Sequence, residues 1–180
     1  LDKFGVSRYV LPIRITFLEE LTMKTLFASL AALALLPVAA ATEVNVSFSE
    51  DFTEDLADDY GVREGERLTQ DVIEDLEAAF KKSGVAPARI DVTIEDAKPN
   101  RPTIEQVRQK PGLDMFRSIS LGGMDLSGIA FDAEGNVIGE VSYDWYEFDL
   151  RNVIGSATWT DANRASRRFA KKMAKQVSGS

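Results

Sequence analysis

The 180-residue sequence contains no histidine and no cysteine. Those two absences remove whole classes of chemistry. Without a thiol there is no cysteine nucleophile, no disulfide and no thiolate ligand. Without an imidazole there is no Ser-His-Asp site and no ordinary zinc, copper or haem ligation by side chains. Positive charge is also in short supply, with 21 Lys and Arg against 29 Asp and Glu, a net of −8. Such a chain is poorly suited to non-specific nucleic-acid binding, which runs on phosphate neutralisation, or to broad adsorption on anionic lipid. A Gly-rich phosphate loop, a G-x-S-x-G elbow and a metalloprotease helix motif are missing as well. The sequence therefore implies no cofactor and no metal.

What is present begins with a targeting pattern. Lys24 follows Met23, an apolar run extends from Leu26 to Leu36, Pro37 ends it, and Val38-Ala39-Ala40-Ala41 supplies small residues of the A-x-A kind. This reads as a secretory signal peptide over 23–41, cleaved after Ala41. The apolar stretch is short for the ~20 residues a spanning helix needs, so no membrane span is expected after cleavage. Residues 1–22 lie upstream and read as a start site called too early. The remainder, 42–180, carries no cysteine for lipid attachment and is one unit more acidic than the whole. It reads as a single domain that is periplasmic or secreted, in a bacterial setting.

Within 42–180 the hydrophobic period changes three times. Val44, Val46 and Phe48 alternate with Asn45, Ser47 and Ser49, which predicts a half-buried strand. An acidic stretch from Glu50 to Tyr60 reads as a solvated loop. Leu68, Val72, Leu76 and Phe80 recur every four residues and predict a helix over 66–82, stopped by Ser83-Gly84. Ile90, Val92 and Ile94 alternate again, so the first three elements form a βαβ unit with parallel strands. Residues 97–117 carry Pro99, Pro102 and Pro111, with a capping box at Thr103-Ile104-Glu105-Gln106. Strands at 118–131 and 137–148 flank a turn at Asp132-Ala133-Glu134-Gly135-Asn136. In the first of them Ile119, Leu121, Ile129 and Phe131 share a parity that Met124 and Leu126 break, which places a bulge at Gly122-Gly123. A last helix over 161–177, capped by Thr160 or Asp161, has an apolar stripe of Ala162, Ala165, Phe169 and Met173. The expected fold is α+β: a two-layer sandwich with a mixed four-stranded sheet, β-α-β-β-β-α order and both helices on one face.

Candidate binding residues fall in two groups. Asp91, Glu95, Glu140 and Asp144 point away from the predicted core and form an acidic sheet face. Arg164, Arg168 and Lys172 belong to a basic outer strip on the last helix, beside the acidic flank of the first. A second chemistry uses Asp144, Glu147 and Asp149 among Tyr143, Trp145, Tyr146 and Phe148, the carboxylates and rings of a glycosidase. Tyr143 and Trp145 share the parity of Val141, however, and so read as core.

The signal peptide, Lys98-Pro99-Asn100-Arg101-Pro102, Pro111-Gly112-Leu113-Asp114, the Gly122-Gly123 strand and Tyr143-Asp144-Trp145-Tyr146 together resemble uncharacterised exported proteins of Proteobacteria. The arrangement is loosely similar to small periplasmic α/β domains such as the TolB N-terminal domain. The resemblance implies a soluble envelope protein and supplies no catalytic residue. The sequence thus points to a non-enzymatic exported protein that binds a periplasmic protein or envelope component. A carboxylate-dependent hydrolase of cell-wall or polysaccharide material and a small-ligand binder are the alternatives.

Overall fold

The computed structural model describes residues 42–179. The readings of 1–22 and of the signal peptide lie outside the described residues.

Strand β1 (Glu43–Phe48) turns Val44, Val46 and Phe48 inward. The Ser49 side chain accepts from the Phe52 N–H and so opens α1 (Glu50–Asp55), which runs on through a wide helical turn at Leu56–Tyr60. This corrects the loop expected at 50–60. Phe52 and Leu56, four residues apart, are both buried and give the segment one apolar edge that its acids mask. Helix α2 (Val62–Ser83) buries Leu68, Val72, Leu76 and Phe80, and Gly84 ends it in the left-handed region at φ 73°. The chain then returns as β2 (Arg89–Lys98), parallel to β1. A short α3 (Ile104–Gln109) begins with the expected capping box, Thr103 and Gln106 bonding each other's backbone. Strands β3 (Gly123–Phe131) and β4 (Val137–Tyr146) form the hairpin, and α4 (Thr160–Ser178) closes the domain.

The sheet order is β1-β2-β3-β4. Phe80 of α2 and Phe169 of α4 belong to one core with Ile90, Val92, Ile94, Met124 and Leu126 of the sheet. Both helices therefore cover the same face, and the α+β two-layer sandwich stands. They lie parallel, held in step by Trp159 Nε1 donating to Glu64 Oε2 (2.7 Å) and Ser166 Oγ donating to Asp75 Oδ2 (2.8 Å).

Three local expectations are corrected. First, β3 begins at Gly123, and Met124, Leu126 and Ala130 face the core while Ile129 and Phe131 lie on the open face. The helix layer sits too close for large side chains throughout: a Cβ on Gly128 would lie 2.8 Å from the Phe169 ring. Small residues therefore stand where an apolar period would otherwise show. Second, the register shifts fall at Ile94/Asp96 and Ala130/Phe131, not at Gly122-Gly123. That glycine pair serves close approach, since a Cβ on Gly123 would lie 2.3 Å from the Trp145 carbonyl oxygen. Third, Trp159 is the N-cap of α4 and makes no side-chain cap bond. Asn100, 61 residues upstream, does this work: its Oδ1 accepts the Asp161 N–H (2.8 Å) and its Nδ2 donates to Asp161 Oδ2 (2.5 Å).

Candidate functional site

The open face of the sheet is built in rows. Ser47, Thr93, Ser127 and Ser142 stand in register, one hydroxyl per strand. Beside them run Asn45, Asp91, Ile129 and Glu140. The two rows line a shallow concavity of about 360 Å³. On the other side of the hydroxyl row come Asp96, Asp125 and Asp144, with Glu95 at the register shift of β2. Ser127 Oγ donates to Glu95 Oε1 (2.6 Å), and the Tyr146 hydroxyl donates to Asp96 Oδ2 (2.8 Å). Lys98 reaches Asp96 at 3.5 Å and lies 5.3 Å above the Tyr146 ring.

The acids repel one another. Burial, then Asp144, Glu95 and Asp96, push the Asp125 carboxyl above its ordinary value. Burial and the bond to the Asp96 carboxylate raise the Tyr146 hydroxyl. A carboxyl raised on folding favours the folded state below its unfolded pKa, and that advantage is lost as pH climbs through the folded value. At neutral pH ionised Asp125 therefore opposes folding. Asp125→Asn is expected to raise the thermal midpoint by a few degrees at pH 7 and to leave it nearly unchanged at about pH 3, where both side chains are neutral. An unchanged midpoint at pH 7, read by circular dichroism, would show that the repulsion is relieved by solvent.

The structure brings Asp91, Glu95, Glu140 and Asp144 onto this one face. Asp91 is held by Arg89 (3.1 Å) and accepts from Asn45 Nδ2 (3.1 Å). The three cations lie elsewhere. Arg164 pairs with the buried Asp161 at 2.7 Å, Arg168 lies 4.3 Å over the Trp145 ring, and Lys172 lies 4.9 Å over Tyr143. Arg168 and Lys172 cover the helix side of β4, and at the strand's outer edge Lys172 shares a trough with Glu140. Sequence reasoning missed Asp96, Asp125 and the hydroxyl row, and named Tyr146 only as a ring of the glycosidase reading. Period-two alternation carries the serines, but the shift at Glu95 that turns Asp96 outward has no sequence signal.

The glycosidase carboxylates separate. Asp144 stands on the open face opposite Asp125. Glu147 turns into its loop, its Oε1 accepting from the Phe148 and Asp149 N–H groups at 2.9 and 3.2 Å. Hydrogen bonds from Asn152 and the Phe148 backbone hold Glu147 below the usual carboxylate range, and Arg151 does the same for Asp149. A glycosidase acid needs its pKa raised, so that it still carries a proton near neutrality. Among the described residues no group of His, Cys, Asp and Glu is placed to hold a metal ion.

A second surface lies at the end where β2 finishes, β3 starts and both long helices begin. Of the large apolar side chains exposed among the described residues, all but Val137 belong to this end. Phe116 is 84% exposed, Phe148 86% and Ile154 75%. The loops that carry them are tied down. Arg101 Nε donates to the Ser156 carbonyl (2.5 Å) and its Nη1 to the Phe116 carbonyl. Asp114 Oδ1 accepts from the Phe116 and Arg117 N–H groups at 2.7 and 2.8 Å. Asp59 anchors α3. Its burial would raise its pKa, but bonds from Lys110 and Gln106 outweigh this and hold it below the ordinary value.

Fold and surfaces together define a two-layer α+β domain whose concavities open to solvent and whose exposed large apolar side chains, Val137 apart, gather at one end. No family model matches the chain, and no curated protein matches it. Among solved structures it is similar to a minor lipoprotein from Acinetobacter baumannii, at 12% identity and a TM-score of 0.35, over 79% of this chain and 95% of that one.

Proposed function

We propose that this chain is an exported bacterial protein, periplasmic or secreted, that binds a protein or envelope component rather than turning over a substrate. The targeting pattern at 23–41 supports export. The observation that carries the binding role is the set of exposed rings on hydrogen-bonded loops at one end of the domain. Monomeric proteins rarely leave large apolar side chains gathered in water unless a partner covers them. Aromatic anchors held in fixed positions are what binding hot spots are made of, because little conformational freedom is lost on docking.

The test is capture from envelope extract with the full chain and with a Phe116→Ser/Phe148→Ser variant. Both rings are exposed, so the two proteins should unfold at nearly the same temperature. The wild type is expected to retain a specific component that the variant retains about tenfold less well. Equal retention by both would remove the loop end from the binding surface.

A further inference from the structure

The sheet ends in β4, which leaves one long side of that strand without a neighbouring strand. The Glu147 N–H donates to the Gly122 carbonyl (2.8 Å). In an antiparallel pair the backbone groups alternate sides. Val141, Tyr143 and Trp145 therefore direct their backbone groups to β3, and Glu140, Ser142, Asp144 and Tyr146 direct theirs outward. Among the described residues those four outward N–H groups have no backbone or side-chain acceptor. The usual protections of an edge are a proline, a lysine within the strand or a covering element. β4 contains neither residue, and its one register shift lies at the far end, by Val137. Alongside it runs an open trough of about 460 Å³ between Glu140–Ser142 and the Lys172 and Lys175 side of α4.

We propose that this edge accepts an extended peptide segment of a partner protein as a fifth strand. The charges state its chemistry. On the helix side of β4 the rim carries Arg168 and Lys172 over the Trp145 and Tyr143 rings, with Lys175 in the trough wall. On the open side stand Glu140, Ser142 and Asp144. Side chains of an added strand alternate between those two sides. The segment that fits places acidic residues every second position against the cations, and hydroxyl or basic residues between them against the acids.

The experiment uses the full chain and two synthetic peptides, one alternating glutamate with threonine and one alternating lysine with threonine. Amide hydrogen exchange is read by NMR. The glutamate peptide is expected to slow exchange at Glu140, Ser142, Asp144 and Tyr146 about tenfold. The amides of Val141, Tyr143 and Trp145, already bonded to β3, stay unchanged. Ser142→Pro removes one outward donor without touching the β3 pairing and should abolish the effect. Lys172→Glu with Lys175→Glu should transfer the preference to the lysine peptide, which keeps the test decisive should the proline variant fail to fold. Protection at Val44 and Val46 on the β1 edge instead, equal response to both peptides, or no protection anywhere overturns the proposal.

Discussion

Replacing Phe169 with alanine is expected to destabilise the domain by about 4 kcal/mol, the usual range for emptying an aromatic site in a packed core. Phe169 has no exposed surface. Its ring lies against a strand position with no side chain to yield, since even a Cβ on Gly128 would come within 2.8 Å of it. Backbone that already touches the ring cannot move closer to fill the space it leaves. Domains of this size are stable by roughly 5–15 kcal/mol, so the loss is a large share of the total. Urea unfolding of wild type and variant measures it. Phe169→Leu, which keeps most of the volume, should lose about a third as much. A Phe169→Ala loss below about 2 kcal/mol would mean that α4 and the sheet collapse together more easily than their geometry allows.

Asn100→Ala is expected to cost about 3 kcal/mol, because it strands a buried charge and a helix-start N–H together. Asn100 and Asp161 are both fully buried. The Asn100 side chain bonds the Asp161 carboxylate and N–H, and also donates to the Ser120 carbonyl at 3.3 Å. Its own backbone adds two bonds, its N–H to the Thr158 carbonyl (2.6 Å) and its carbonyl to the Ser120 N–H (2.9 Å). With the amide gone, Asp161 keeps Arg164, whose side chain is 41% exposed. An ion pair with one partner half in solvent compensates a buried carboxylate poorly. The same variant should loosen the 118–122 segment, read as faster amide exchange at Ser120. A loss under about 1 kcal/mol would show that water takes over the vacated bonds.

The sequence carried the architecture well where hydrophobic period was the signal. β1, α2, β2 and α4 follow from Val44 to Phe48, Leu68 to Phe80, Ile90 to Ile94 and Ala162 to Met173. The Thr103-Gln106 box and the Asp132 turn follow from local side-chain bonds. What stayed hidden was decided by contacts distant in sequence. The inner side of β3 reads as weak because Gly128 and Ala130 make room for α4. Ile129 and Phe131 look like core but lie on the open face, where the Arg89 guanidinium covers the Phe131 ring at 4.2 Å. The cap of α4 comes from Asn100, so nothing next to Trp159 announces it. Of the candidate site, the four acids were placed on the correct face from alternation alone. Arg168 and Lys172 were read as a free strip because the Trp145 and Tyr143 rings beneath them could be located only in three dimensions.

The strand order has a kinetic consequence. Each strand pairs with its neighbour in the chain, so the sheet assembles from nearby segments, which is the fast case. Helix α4, however, emerges from the ribosome after every strand it must cover. Until it arrives, Met124 and Leu126 have half a roof, and the nascent chain has no cooperative reason to set. Closure of the core is therefore expected to wait for α4, the last of the described elements to be made.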